Sequence, residues 1–234
     1  MKTEITFKDS VKAAHLEFEE EPMDKNYSNL IAGYPSRLRI KKILQEIERN
    51  SSGMGVDGMS ILDAGCEAGF LSIKLMEKGA DVTSVDIIKP ALKRFKDKIR
   101  GTSLNPKIVN AAIQNLPFKD SIFDGVVATE VLEHAPDLKK CISELHRVAT
   151  PGGVIIITIP IEKNRKWLYP IAQLLGINTS VEKEVTLFDI SIEDILEPIH
   201  KIGYAALVTY SFPKFFPLTR MIVWTKQNNE NPNN

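Results

Sequence analysis

The stretch Ile61-Leu62-Asp63-Ala64-Gly65-Cys66-Glu67-Ala68-Gly69-Phe70-Leu71 decides the fold, because it joins an apolar strand to a helix through a glycine-bearing turn. The run 60–64 is short and apolar, which is typical of a buried strand. Glycine accepts positive φ and lets the backbone approach a ligand closely. A turn of this kind after the first strand of an open α/β sheet is the usual nucleotide-binding position.

Strand and helix patterns alternate on both sides of this turn. The predicted helices are 36–49, 70–78, 90–100, 137–149 and 191–202, and the predicted strands are 60–64, 81–86, 107–109, 123–128, 154–159, 205–212 and 221–225. This alternation indicates a parallel sheet with helices on both faces. The last two strands are too close for a helical crossover, so they should pair antiparallel. We therefore predict a Rossmann-like α/β fold with a seven-stranded, mostly parallel sheet and an antiparallel C-terminal strand pair.

The sequence divides into three predicted parts. Residues 1–50 are predicted to form an N-terminal helical cover, 51–226 the main domain and 227–234 a disordered polar tail. Residues 160–190 interrupt the alternation with an apolar, aromatic stretch, which we interpret as a lid insertion. We expect neither a secretory signal nor a transmembrane segment, because no apolar run is long enough.

Composition and charge exclude several function classes. The 30 Lys and Arg residues balance 30 Asp and Glu residues, so a general nucleic-acid binder is not expected. The two cysteines, Cys66 and Cys141, exclude a disulfide scaffold and a multi-cysteine zinc site. Such low cysteine usage fits a reducing compartment, so we expect a cytoplasmic protein.

An acid after the second strand completes the nucleotide-binding pattern. Asp86 ends the strand 81–86, where its carboxylate can accept hydrogen bonds from both ribose hydroxyls. Glu67 lies between Gly65 and Gly69, and an anion there is unfavourable beside a pyrophosphate but not beside a cation. Asp63 also suits a cation. S-adenosylmethionine, with a sulfonium, an ammonium and no phosphate, therefore fits better than NAD. An α/β protein that binds no nucleotide is the alternative.

Together, the motifs resemble those of class I S-adenosylmethionine-dependent methyltransferases over about residues 35–160. The motifs are Asp63–Gly69, Val85-Asp86, Leu116-Pro117-Phe118 with Phe123-Asp124, Glu130-Val131-Leu132-Glu133-His134, and Pro151-Gly152-Gly153. Within the class the chain resembles the small-molecule methyltransferases of quinone biosynthesis, particularly the O-methyltransferases. The resemblance implies methyl transfer from S-adenosylmethionine to an oxygen nucleophile of a small molecule, and an aromatic or lipophilic acceptor is expected.

The resemblance also implies cofactor contacts by position. The implied contacts are Asp63, Gly65, Cys66, Glu67 and Gly69 around the methionine part, Asp86 and Ile87 at the ribose, Ala112 and Ile113 beside the adenine, Thr129 and Glu130 at the end of the fourth strand, and Arg37 at the cofactor carboxylate. The family often has Gly where Glu67 stands and Asp where Ala112 stands. We expect cofactor binding to survive both departures, with lower affinity.

The segment Glu130-x-x-Glu133-His134 has three interpretations. His134 could be a general base that removes a proton from a substrate hydroxyl, since its ordinary pKa suits that role. The resemblance implies instead that Glu130, Glu133 and His134 hold Mg²⁺, which would acidify and orient a hydroxyl. The third interpretation is structural, with Glu133 and His134 fixing the loop. We take His134 and Glu133 as the catalytic candidates.

Two other functions remain as alternatives, and the role of one group of aromatic residues is undecided. The chain could methylate RNA or protein, although zero net charge and the lack of an RNA-binding appendage count against this. It could also be a non-catalytic cofactor-binding subunit. An aromatic group could line an acceptor pocket or pack in the core; its members are Trp167, Tyr169, Phe212, Phe215, Phe216 and Trp224.

Overall fold

The computed structural model describes residues 33–51, 53, 55–174 and 190–228. Within these residues the helices are α1 (Tyr34–Arg49), α2 (Phe70–Met76), α3 (Lys89–Ile99), α4 (Leu138–Val148), α5 (Glu162–Leu174) and α6 (Ile192–Ile202). The strands are β1 (Ser60–Ala64), β2 (Asp81–Asp86), β3 (Lys107–Asn110), β4 (Phe123–Thr129), β5 (Ala149–Pro160), β6 (Ala206–Phe212) and β7 (Thr219–Thr225). Short 3-10 turns span Ile113–Asn115 and Leu132–His134.

The described strands form one seven-stranded sheet with the order β3-β2-β1-β4-β5-β7-β6. Strands β1 to β5 pair in parallel, and β7 lies antiparallel between β5 and β6. The predicted sheet and its antiparallel C-terminal pair are therefore confirmed. The strand β5 begins earlier than predicted, because Ala149 pairs with Phe123 before an irregularity in the register.

Both faces of the sheet are buried, as the continuous apolar strands predict. Along β5, Val154 and Ile156 pack on the side of α1 and α2, whereas Ile155 and Ile157 pack on the side of α4 and α6. Each such aliphatic side chain contributes about 2 kcal/mol when it is withdrawn from water. This double layer fixes the carboxyl ends of β1, β2 and β4 at one edge of the sheet.

The first helix belongs to the layered core rather than standing apart from it. Ile43 and Ile47 of α1 are fully buried against the same cluster as Ile61 and Leu75. Residues 1–32 of the predicted N-terminal cover lie outside the described residues, as do 175–189 of the predicted lid and 229–234 of the predicted tail. The predicted domain boundaries stay predictions.

The stretch after β5 is helical over its first part. The backbone N–H of Ile161 donates to the carbonyl of Leu218 (2.8 Å), and Asn164 Nδ2 donates to the carbonyl of Pro217 (2.7 Å). These bonds dock the start of α5 on the β6–β7 connection. Each helix in the described ranges is too short or too polar to cross a membrane.

Two of the sequence motifs have structural roles. Glu144 of α4 accepts a hydrogen bond from the backbone N–H of Leu116 (2.9 Å), and Arg147 donates to the carbonyls of Leu116 and Phe118. Asp124 accepts from the backbone N–H of Ser60 at the start of β1 (2.9 Å). The first set of contacts fixes the loop that follows the turn Ile113–Asn115, and the second fixes the start of β1.

Candidate active site

The turn after β1 curls over the ends of two strands. Gly65 has a φ of 80°, and its N–H and that of Cys66 donate to the carbonyl of Val85 at 2.7 and 3.0 Å. A Cβ on Gly65 would lie 2.5 Å from Cγ2 of Val131, which sits in the loop after β4. Any larger residue at Gly65 would therefore push apart the two loops that border the site.

Asp86 is the buried acid at the end of β2. Its Oδ2 accepts from the N–H of Glu67 and its Oδ1 from the N–H of Ile88, each at 2.8 Å. An ionised carboxylate has about four acceptor sites, so both oxygens retain capacity for a hydroxyl donor. Asn110 donates to the carbonyls of Asp86 and Ile87 at 2.8 and 3.0 Å and fixes this strand end.

Acidic groups surround the glycine turn. Asp63 accepts from Ser72 Oγ at 2.6 Å, and burial together with the charge of Asp86 raises the pKa of Asp63 to about 6. Burial, followed by the charges of Asp63, Asp86 and Glu67, raises the pKa of the Cys66 thiol well above its usual value. Cys66 is thus a neutral thiol, and the turn favours a cation over a phosphate.

Two glutamates of the site hold a left-handed backbone. Glu67 has a φ of 51° and Glu130 a φ of 48°. Residues other than glycine adopt this region at a cost of about 1–2 kcal/mol, and such strain often marks functional sites. The two strained positions border the site from β1 and from β4.

A buried arginine clamp, which we define as Arg39, Glu130 and Arg165, closes one side of the site. Arg39 Nη1 lies 2.8 Å from Oε2 of Glu130, Arg165 Nη2 contacts the same oxygen, and Thr219 Oγ1 donates to Oε1 (3.0 Å). Burial opposes ionisation, yet the charges of Arg39 and Arg165 lower the pKa of Glu130 to about 2. Glu130 is therefore ionised, and it joins α1, β4, α5 and β7.

Glu133 and His134 lie in the 3-10 turn just beyond Glu130. Glu133 is buried, and among the described residues its Oε2 has no hydrogen-bond partner. Burial, and then the charge of Glu130, raises the pKa of Glu133 to about 8, so it is protonated at neutral pH. His134 is only partly buried, and its role as a general base stays a prediction.

These residues do not fit the Mg²⁺ alternative. Mg²⁺ binds ionised carboxylates, but the charge of Glu130 is already compensated by two guanidinium groups. Over the part of the chain that the structure describes, no group of three or more His, Cys, Asp or Glu residues could hold a metal ion.

The remaining candidate residues are distributed around the same edge. Thr129 ends β4 and pairs with Thr158 of β5, whose buried Oγ1 has no hydrogen-bond partner among the described residues. Ala112 precedes the 3-10 turn that begins at the buried Ile113. Ile87 is half-buried directly after Asp86.

Arg37 and Arg39 lie on different sides of α1, because Arg37 is exposed and Arg39 is buried. Arg37 is exposed and lines a groove of about 410 Å³ with Lys41 and Lys74, between α1 and α2. Its contact with a cofactor carboxylate stays a prediction. Sequence reasoning missed Arg39 and Arg165. Arg39 was detectable, since it lies one turn before Ile43 on the apolar face of the helix.

The aromatic group divides into buried and exposed members. Trp224 is fully buried, with Nε1 3.4 Å from Nδ1 of His146, and Phe212 packs in the core beside Met221. Trp167 and Phe215 are exposed, and the side chain of Tyr169 lies outside the described residues. The pocket interpretation is therefore wrong for Trp224 and Phe212, which pack in the core.

Comparison with known proteins identifies the domain. Residues 62–157 match a family model described as a methyltransferase domain. A ubiquinone biosynthesis O-methyltransferase of Rickettsia prowazekii (strain Madrid E) is 26% identical over 136 residues, which cover 58% of this chain and 53% of that protein. A demethylmenaquinone methyltransferase of Desulfitobacterium hafniense (strain Y51) is 30% identical over 141 residues, covering 55% and 53%. The chain spans about half the length of these curated relatives.

A solved structure shows the same fold. The magnesium protoporphyrin IX methyltransferase of Synechocystis PCC 6803 with bound S-adenosylhomocysteine superposes with a TM-score of 0.68 at 18% identity, covering 94% of this chain and 100% of that chain. Residues 62–157 thus match a methyltransferase domain, the superposition shows the shared fold, and the resemblance to S-adenosylmethionine-dependent methyltransferases that the motifs indicate is confirmed.

Proposed function

We propose that the protein transfers a methyl group from S-adenosylmethionine to an oxygen nucleophile of a small molecule. One observation carries the cofactor assignment. The turn at Gly65 and the buried carboxylate of Asp86 meet at the same edge of the sheet, where the acids Asp63 and Glu67 also lie. This edge can hold a ribose and a positively charged group, and it disfavours a pyrophosphate.

The acceptor side of the proposal depends on His134. Methyl transfer is an in-line displacement that needs a positioned nucleophile and removal of its proton. His134 is the partly buried base beside the cofactor edge, and the neutral Glu133 can donate a hydrogen bond there. The names of the relatives, which act in ubiquinone biosynthesis and on demethylmenaquinone, support an aromatic or lipophilic acceptor.

Charge and cysteine usage support the rest of the assignment. The balanced charge favours a small molecule over a nucleic acid as acceptor. Cys66 and Cys141 are both free and buried, which is consistent with a cytoplasmic location.

Calorimetric titration with S-adenosylmethionine, S-adenosylhomocysteine and NADH tests the cofactor. We expect both adenosyl ligands to bind and NADH not to bind. Asp86→Ala should weaken binding by about thirtyfold, since it removes hydrogen bonds to a charged acceptor. Asp81→Ala is the matched control, because Asp81 lies exposed at the other end of β2. Equal affinities of the two variants would refute the assigned ribose site.

A methylation assay with phenol, catechol and hydroxyquinone acceptors tests the reaction. His134→Asn should lower the rate by about 10²–10⁴-fold if His134 is the base, with cofactor affinity unchanged. His200→Asn on the exposed part of α6 is the matched control. Methylation of RNA or protein alone would overturn the acceptor class. Cofactor binding without any methylation would favour the non-catalytic subunit.

A further inference from the structure

Three aromatic side chains stand exposed beside the candidate site. Phe215 is 98% exposed, Trp167 76% and Phe216 42%. Together with the exposed lysines Lys163, Lys166 and Lys214, we name this surface the aromatic edge. Single exposed apolar residues are ordinary, but a cluster of large exposed apolar side chains marks a surface that contacts another protein or a membrane.

The aromatic edge is formed by α5 and the β6–β7 connection, and these two segments are held together. Asn164 of α5 donates to the carbonyl of Pro217 at 2.7 Å, one residue beyond Phe216. Trp167 follows Asn164 by one helical turn, so it lies on the side of α5 next to the β6–β7 connection. The aromatic side chains therefore belong to one surface and not to two separate loops.

The helix α5 presents different chemistry on its two sides. Arg165 points inward, where it contacts Glu130 of the arginine clamp. Lys163, Lys166, Trp167 and Pro170 are all exposed, and their spacing of three and four residues puts them on one outer face. This outer face combines cationic ends with an indole ring.

The aromatic edge is also biased in charge. The whole chain is neutral, but 163–174 and the β6–β7 connection, 213–218, contain Lys and Arg and no Asp or Glu. Glu162 precedes the first of these segments as the first residue of α5. Lysine is depleted at protein–protein interfaces, whereas aromatic rings flanked by lysines are typical of faces that lie on anionic lipid.

We propose that the aromatic edge docks the protein on the surface of an anionic lipid bilayer. Trp167, Phe215 and Phe216 would enter the headgroup region, where amphipathic and aromatic rings are favoured. Lys163, Lys166 and Lys214 would meet lipid phosphates. The contact is peripheral, and it would bring the side of the site that carries Arg165 next to the membrane. The proposal does not depend on methyl transfer.

Vesicle binding by the full chain tests this surface. We expect cosedimentation with vesicles of equal parts phosphatidylcholine and phosphatidylglycerol, and little with phosphatidylcholine alone. The chain has two tryptophans, and Trp224 is fully buried. A blue shift of the emission on binding, with quenching by brominated lipid, would therefore report Trp167. A Trp224→Phe variant should keep that shift.

Two sets of variants separate the apolar and charged contributions. Trp167→Ser with Phe215→Ser should abolish cosedimentation, and Lys166→Glu with Lys214→Glu should lower affinity by at least about fivefold per lysine. Lys93→Glu with Lys96→Glu, on the exposed side of α3, is the matched control and should have a smaller effect. Circular dichroism, which needs no ligand, checks that each variant is folded.

Three results would overturn the proposal. Wild-type protein that does not bind either vesicle excludes a lipid surface. Binding that survives both sets of variants places the contact elsewhere. Light scattering that shows a dimer, dissociated by Trp167→Ser with Phe215→Ser, would make a second copy of the chain the occupant. Each result leaves the cofactor assignment unaffected, because that assignment is measured without lipid.

Discussion

Arg39 Nη1 lies 2.8 Å from Oε2 of Glu130, so a buried ion pair joins the first helix to the end of β4. Arg165 reaches the same oxygen from α5. The positions of α1 and α5 are therefore coupled through one carboxylate. Because Glu130 directly follows Thr129 at the carboxyl end of β4, the same contact fixes the backbone beside the cofactor edge.

Loss of Arg39 should destabilise the fold. Arg39→Ala leaves the buried Glu130 with one guanidinium partner, and we expect the free energy of unfolding to fall by about 2–3 kcal/mol. Arg37→Ala, two residues earlier and exposed, should change it by less than about 0.5 kcal/mol. Urea denaturation of both variants measures the difference. Similar losses for the two variants would show that the clamp is not a stabilising contact.

Glu133 should impose a pH dependence on stability. Its pKa is raised from 4.5 to about 8 in the folded protein, so the folded state binds one more proton than the unfolded state between these values. Stability from this group therefore falls as the pH rises from 4.5 to 8. Glu133→Gln removes this loss, and at pH 9 the variant should be more stable than wild type by at least about 2 kcal/mol. At pH 4 the two should be nearly equal.

Glu130 should show a pH dependence of stability opposite to that of Glu133, so it serves as the control for that experiment. Its pKa is lowered to about 2, so it contributes stability above pH 4.5 that is lost as the pH falls toward 2. Glu130→Gln should therefore be less stable than wild type at pH 7, where Glu133→Gln is more stable. Parallel pH profiles of the two variants would contradict the assigned protonation states.

The fold was predictable from the sequence to a large extent, because its signals are local. The apolar strands, the turn at Gly65 and the acid at Asp86 each depend on neighbouring residues, and the structure places them as expected. The predicted helix 191–202 is formed as α6, and a capping box between Ser191 and Asp194 starts it at the predicted residue.

The arginine clamp could not be predicted in the same way. Arg165 lies 35 residues from Glu130, and local sequence signals do not indicate which distant residue its side chain contacts. The Mg²⁺ alternative arose from Glu130, Glu133 and His134 alone. It does not fit because two arginines distant in sequence already balance the charge of Glu130.

Replacement of Glu67 by glycine should relieve backbone strain. Glu67 has a φ of 51°, which glycine adopts without the Cβ clash. We expect Glu67→Gly to raise the free energy of unfolding by about 0.5–1 kcal/mol. Glu77→Gly is the matched control, since Glu77 has a φ of −59° and the added flexibility should cost about 1 kcal/mol. A loss of stability in both variants would mean that contacts of the Glu67 side chain outweigh the strain.

Removal of divalent cations should leave the protein unaffected. Any Mg²⁺ beside Glu130 would also face the positive charges of Arg39 and Arg165, which already compensate this carboxylate. Thermal unfolding midpoints in EDTA and in excess Mg²⁺ should therefore agree, and methylation rates should agree within about twofold. The midpoint measurement does not require a known acceptor. A saturable rise of the midpoint with Mg²⁺ that Glu130→Gln abolishes would contradict this prediction. The arginine clamp would then have to open to admit the ion. The Mg²⁺ alternative would replace the assignment of His134 as the sole proton acceptor.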